Sequence, residues 1–290
     1  MEIEGLIQKS AMIVTMGKGG VGKTTVSAAI GIKAATMGCN VLVLTIDPAN
    51  RLADAFGVDS TMVRPTELFP GKFSGSLFAM MLHRKTTCDN LVDQFARNEA
   101  AKNTIKDSPY YQHFSTSLAG GQEFMAVEEV AHLYDSGRFD LIILDTPPAN
   151  HAFDFLDSPK RLSSGWSSIA SHRGSKTDGF IARLKKQGGR MMVKGLDRMT
   201  GDGFINELIQ FISLFGDILG ALSQASLRLT SLLERPETSF ILVDTASTGL
   251  ARRVEHYRSE LGQRKMSLYG LIANRCTPFW MNEDQSARRT

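Results

Sequence analysis

The run Gly17-Lys18-Gly19-Gly20-Val21-Gly22-Lys23-Thr24 satisfies the pattern G-x-x-x-x-G-K-[ST] in full. Glycines at this density let backbone N–H groups wrap a chain of phosphates. A helix opening behind the loop adds the positive end of its dipole. Lys23 is placed to reach β- and γ-phosphates, and the Thr24 hydroxyl to ligate Mg2+. The nucleotide-binding set read from the pattern is Gly17, Gly19, Gly20, Val21, Gly22, Lys23, Thr24 and Thr25. The plainer reading is a glycine-rich turn with a chance lysine. The loop's position, after an apolar strand and before a helical stretch, argues against that.

Two aspartates end apolar runs. Asp47 stands in Thr45-Ile46-Asp47-Pro48-Ala49-Asn50, and Asp145 in Asp145-Thr146-Pro147-Pro148-Ala149-Asn150-His151. Ligands of open α/β sheets bind at strand C-termini. Asp145 suits holding Mg2+ through a water, and Asp47 suits orienting an attacking water near the same metal. Taken singly, either is also a helix N-cap or an Asx-turn. His151 reads as a solvated or structural loop histidine. Asn274 follows Leu271-Ile272-Ala273. Its amide can donate to and accept from an adenine edge, or hold a turn. Lys18, taken alone, is an exposed loop charge.

The elements that must position these residues are legible as short apolar runs bounded by turn residues. They are Ala11–Met16, Val41–Ile46, Leu77–Leu82, Leu141–Leu144, Phe240–Val243 and Leu268–Ala273. Helix-like stretches alternate with them, the pattern of a parallel sheet covered on both faces. A helix over Thr24–Met37 with a Gly38–Asn40 corner completes a βαβ unit. The expected fold is α/β, a doubly wound and mostly parallel sheet of the P-loop NTPase type with an inserted α-helical subdomain. The core spans residues 1–162 and 237–290 and the insert 163–236. Within the insert, Phe204–Leu233 is strongly apolar, with Asn206, Gln210, Ser213, Asp217 and Gln224 forming a narrow polar stripe on a long helix. A core helix, a groove for a client's hydrophobic helix and a partner interface all fit it.

Composition narrows the class. Of 290 residues 42% are hydrophobic, enough for a full core. No run approaches the ~18 apolar residues of a membrane span. Glu2 and Glu4 are the wrong charge for a secretory signal, so a cytoplasmic location is expected. The formal charge of +3 is too small, over this length, to point to nucleic acid. Cys39, Cys88 and Cys276 lie far apart, without a CxxC or a Cys/His cluster.

Gly-Lys-Gly-Gly-Val-Gly-Lys-Thr-Thr resembles the deviant Walker A loop of nucleotide-switch ATPases such as MinD, ParA, the nitrogenase iron protein and ArsA. With Asp47-Pro48-Ala49-Asn50-Arg51-Leu52-Ala53-Asp54-Ala55-Phe56 as a switch I-like element and Asp145–His151 as a switch II-like element, the chain is similar to the ArsA/Get family. Leu118–Ala126 and Ala152–Asp157 extend the resemblance toward bacterial single-domain ArsA-like ATPases. It implies ATP hydrolysis with Mg2+ in a homodimer. In such a dimer Lys18 reaches the partner's nucleotide, Asp47 positions the water and Asn274 reads adenine. Lys18, Lys23 and Asp47 are then the catalytic set. Thr24, Asp47 and Asp145 are the metal set. The output is delivery of a hydrophobic helical client or a membrane-protein partner. The alternatives are a positioning or regulatory switch of the MinD/ParA type and the energising subunit of an anion pump. Departures bear on the details. The isolated cysteines argue against a metalloid site, and the missing CxxC against a structural zinc. No cysteine pair is placed to hold an iron–sulfur cluster. Arg51 stands where better-known members carry asparagine. Residues 275–290 are fewer than the family's further helix, strand and adenine-covering loop occupy, so a short form or a fragment is expected.

Overall fold

The structure, a computed structural model, describes residues 3–46, 51–58, 62–117, 121–147, 152–153, 155–157, 218, 220–221 and 223–276. Its strands are β1 (Met12–Met16), β2 (Asn40–Thr45), β3 (Thr66–Leu68), β4 (Ser76–Met81), β5 (Leu141–Asp145), β6 (Thr238–Thr245) and β7 (Leu268–Asn274). Its helices are α1 (Ile3–Lys9), α2 (Lys23–Thr36), α3 (Arg51–Phe56), α4 (Arg84–Phe95), α5 (Glu99–Asp107), α6 (Pro109–Ser117), α7 (Gly121–Asp135), α8 (223–233) and α9 (Leu250–Gln263). The chain divides into two units.

The first unit holds residues 1–82, 133–154 and 231–290. Its sheet has the strand order β3-β4-β2-β5-β1-β6-β7. All neighbours are parallel except β3 with β4. The six strands expected from apolar runs are all present, as is the α/β class. Strand alternation divides the side chains between two faces. Ile13, Val41, Val43, Leu77, Ala79, Leu141, Ile143, Ile241 and Val243 share one face and form a single core with α1, α2 and α3. The opposite face buries Met12, Val14, Leu42, Leu44, Ile142, Leu144, Phe240 and Leu242. There α9 packs on β6 and β7. Phe153 packs against Tyr257 and His256 of α9, and the Arg264 guanidinium lies 5.0 Å from its ring centre. The buried Tyr257 hydroxyl has no hydrogen-bond partner among the described residues.

The helix α2 ends as its sequence suggests. Gly38 takes φ 97°, Cys39 N–H donates to Ala34 O and Gly38 N–H to Ala35 O. This is a Schellman ending, which satisfies the last carbonyls and turns the chain into β2. Strand β1 sits at the reversal of winding. From β1 the chain builds outward through β2 and β4, returns to β5, and then crosses to β6 on the other side. The crevice at such a point is where open sheets bind ligands.

The second unit holds residues 83–132 and 155–230. Asn98 caps α5 by accepting from Ala101 N–H at 2.8 Å, and His83 caps α4 by accepting from Thr86 N–H. Helices α4, α5 and α6 bury Leu91, Val92, Ile105 and Tyr111. The Tyr111 hydroxyl donates to Asp89 at 2.6 Å. On α7, Glu128 and Glu129 are buried. Burial, with the neighbouring Glu129 charge, pushes the Glu128 carboxyl up to about 7 against the pull of Arg228.

The expected insert 163–236 lies for the most part outside the described residues, and so does most of Phe204–Leu233. The part that is described, α8, buries Ala225, Ser226, Leu229, Leu232 and Leu233 and leaves Leu227 59% exposed. That is a one-sided helix. Among the described residues no helix is long and apolar enough to cross a membrane.

Candidate functional site

The loop between β1 and α2 is built by backbone approach. Gly17 has φ 151°, and a Cβ there would lie 2.1 Å from the Val243 carbonyl oxygen on β6. Gly22, the residue before α2, has φ 92° and no side chain with which to cap the helix. A Cβ on it would lie 2.3 Å from Asn274 Nδ2. Only glycine meets both conditions at either place. The first turn of α2 therefore points N–H groups at the crevice with no side-chain cap across them, which is the arrangement that binds anions.

Lys23 begins α2 and is 8% exposed. Its ammonium donates to Gly17 O at 3.1 Å and Lys18 O at 3.2 Å, so it lies inside the curl of the loop. Lys18, Gly19 and Gly20 form the loop's exposed rim. Thr25 is exposed on α2.

Strand register assembles the acidic side. Thr15, Asp145 and Thr45 are direct partners across β1, β5 and β2. The three side chains share the face on which α2 lies, since they follow Ile13, Ile143 and Val43 by two residues. Asp145 is 1% exposed. Its Oδ2 accepts from the Thr24 hydroxyl at 2.6 Å and the Thr45 hydroxyl at 3.0 Å. Its Oδ1 accepts from the Thr15 hydroxyl at 3.4 Å, and Thr15 also meets Ser27 of α2 at 2.9 Å. The Thr146 hydroxyl donates to Thr15 O at 2.7 Å, fixing the chain as it leaves β5. A buried carboxylate ringed by hydroxyls is satisfied, and oxygen donors of this kind suit Mg2+. Thr24, Lys23 and Asp145 thus converge at one strand end. Thr15, Thr45 and Ser27 were not read from the sequence as site residues. A hydroxyl near the end of an aliphatic strand marks each threonine, but it has no spacing that assigns it to a site.

Asp47 lies outside the described residues, together with 48–50, and so do 148–151, which include His151. Arg51 opens α3 and is exposed. Asn274, at the end of β7, has its amide nitrogen on the loop: Nδ2 donates to Val21 O at 2.8 Å. The amide therefore fastens the loop to the strand that would carry a base-reading residue. Asn274→Ala strands a largely buried carbonyl, at a cost of about 1–3 kcal/mol. The expected result is a KM for ATP raised about five- to tenfold with a smaller fall in kcat. Steady-state kinetics decide it, and an unchanged KM removes the fastening role.

A second carboxylate stands at the end of β6. Asp244 is 2% exposed and receives the Arg253 guanidinium of α9 through Nε on Oδ2, with Nη2 3.3 Å from Oδ1. Thr245 N–H also donates to Oδ1 at 2.7 Å. Burial by itself pushes this carboxyl up. The Arg253 and Thr245 hydrogen bonds, with the charges of Arg253 and Lys18, outweigh burial and hold it below the ordinary carboxylate range.

Among the described residues Cys39, Cys88 and Cys276 form no disulfide. Among the described residues no group of three His, Cys, Asp or Glu side chains is placed to hold a metal ion.

Comparison with known proteins agrees with this architecture. The family model described as anion-transporting ATPase matches residues 10–287. A Dictyostelium discoideum protein named ATPase ASNA1 homolog is 33% identical over 69% of this chain and 57% of its own length. Caenorhabditis elegans ATPase asna-1 is 25% identical over 94% of this chain and 77% of its own. An Aquifex aeolicus protein named putative arsenical pump-driving ATPase 1 is 32% identical over 51% of this chain and 38% of its own. The chain spans about half the length of most of the curated relatives it matches. With the phosphate loop, the carboxylate behind it and the sheet that joins them accounted for over nearly its whole length, the chain belongs to the ArsA-type anion-transporting ATPase family.

Proposed function

We propose that this chain hydrolyses Mg·ATP and acts as a nucleotide-driven homodimer switch, coupling hydrolysis to binding and release of a hydrophobic helical client. The observation that carries the ATPase reading is the convergence of Lys23, Thr24 and Asp145 beneath the uncapped start of α2. In this reading Thr24 is the Mg2+ ligand and Asp145 holds a water of its shell. Asp47 completes the metal set and orients the attacking water. Mg2+, when bound, would neutralise charge on the phosphates. Gly17, Gly19, Gly20, Val21, Gly22 and Thr25 line the phosphates with backbone and hydroxyl donors, Lys23 reaches the terminal phosphates, and Asn274 faces the base. The relatives named GET3 and ASNA1 support delivery of a client, and the apolar stretch Phe204–Leu233 is the seat this reading assigns to it. The Aquifex name favours the other output, energising an anion pump.

The dimer reading rests on Lys18, exposed at the loop's rim. A cation delivered across an interface stabilises charge that develops during phosphoryl transfer. Mixing tests it. Lys18→Ala and Lys23→Ala are each expected to be inactive alone. In a 1:1 mixture half the dimers are mixed, and one site in each then has its own Lys23 and the partner's Lys18. Turnover should return to about a quarter of wild type, as two-fold symmetry requires. A mixture as inactive as its components, or an active Lys18→Ala, removes the trans-acting lysine.

A further inference from the structure

We propose that Asp244 is a positioning residue for Lys18, a counter-charge that retains the lysine on its own protomer and sets how readily it leaves for a second copy's nucleotide. The inference rests on the dimer reading above.

Two geometric observations place the two groups together, and the electrostatics agree with them. The parallel register of β1 and β6 pairs Met16 with Leu242, so Gly17-Lys18 runs beside Val243-Asp244. The chains remain adjacent past the last pair, since the Gly17 Cα lies against the Val243 carbonyl. The Lys18 charge also acts on the Asp244 carboxyl and helps to keep it ionised.

Asp244 is held still enough to serve this purpose. Arg253 binds it with two nitrogens and extends to Ser247 Oγ at 2.8 Å and Thr248 O at 3.2 Å. The guanidinium thereby ties the carboxylate to the turn joining β6 and α9. The Asp244 side chain is 3% exposed and that of Arg253 19%. A charge pair this sheltered from water is screened little by salt. No hydrogen bond or ion pair is formed between Lys18 and Asp244, so the hold is one of field and not of contact. A lysine on an exposed glycine-rich rim can leave it without breaking a packed structure. Phosphate oxygens of a second copy's nucleotide would compete for the same ammonium.

The experiment follows dimerisation by light scattering against protein concentration, with Mg2+ and a non-hydrolysable ATP analogue. Asp244→Asn is made in the wild-type chain and in Lys18→Ala. With Lys18 present, Asp244→Asn should lower the dimerisation midpoint about three- to tenfold, and in Lys18→Ala it should move the midpoint less than about twofold. Asp244→Glu, which keeps the charge, should stay near wild type. An equal shift in both backgrounds, or none with Lys18 present, overturns the inference while leaving the dimer standing. A wild-type chain that stays monomeric with the analogue overturns the dimer reading and the inference together. Should Asp244→Asn fail to fold because Arg253 is left uncompensated, Arg253→Gln makes the comparison in the other direction: it unmasks the Asp244 charge, should raise the midpoint with Lys18 present, and should move it less than about twofold in Lys18→Ala.

Discussion

Lys23→Ala should reduce ATP turnover by about 10²–10³-fold or more, the scale on which removal of one preorganised charge-stabilising donor is felt. The loop curls around this one ammonium. It donates to Gly17 O and Lys18 O, carbonyls at the start of the exposed rim. The side chain thus shapes the loop, and in the proposed reading it exchanges these carbonyl oxygens for phosphate oxygens. Loss of the ammonium removes both functions, so affinity and rate should fall together. Lys23→Met retains most of the apolar stem and separates the two, since it preserves packing in a site only 8% exposed. Lys23→Arg is not expected to rescue, because a planar fork does not fit where a compact ammonium sits between two carbonyls. Fluorescent ATP-analogue binding and single-turnover rates are the measurements, with thermal melting to show that each variant is folded. Wild-type turnover in Lys23→Ala would overturn the site as assigned.

The strands of this site were readable because each is a short aliphatic run stopped by a turn residue, and buried parallel strands are written that way. Where the run was framed by buried polar residues, the reading stopped short. Phe240–Val243 is the middle of β6, which continues through Thr238 and Ser239 at one end and Asp244 and Thr245 at the other. Thr238, Ser239 and Asp244 stay inside because they are satisfied, Ser239 by Ser10, Thr238 by Leu232 O and Asp244 by Arg253. Asp244 therefore went unread although it closes an apolar run as Asp145 does. Strand β3 was missed for a different reason, being three residues long and antiparallel at the sheet edge. Of the site, Lys23, Thr24 and Asp145 were legible by motif and by order along the chain. The hydroxyls that hold Asp145 were not, since a single threonine in an aliphatic strand carries no spacing signal. They come together only through register, which three strands and α2 decide jointly. The role expected for Asn274 was contact with a base. The bond to Val21 O, which ties that strand to the phosphate loop, depends on the distance between β7 and Gly22 and cannot be read from one element.

Asp145→Asn should raise the Mg2+ concentration for half-maximal turnover about 10–100-fold and reduce the rate at saturating ATP by a similar factor, the usual cost of losing an outer-shell group behind a metal ligand. The geometry makes this a clean substitution. Asparagine has the same shape, and the Thr24, Thr45 and Thr15 hydroxyls that point at the carboxylate can each rotate to accept as well as donate. The hydrogen-bond network can re-form around the amide, so the melting midpoint should move little. What is lost is the negative charge, together with one of the two acceptor oxygens. Asp145→Ala provides the contrast. It leaves three hydroxyls around a void in a position 1% exposed, and should destabilise the fold by about 1–3 kcal/mol as well as remove activity. A Mg2+ titration of turnover for both variants, beside their melting curves, separates charge from packing. If Asp145→Asn keeps the wild-type Mg2+ dependence, Asp145 is a structural knot of the sheet, and the metal must be held by Thr24 with groups that lie elsewhere.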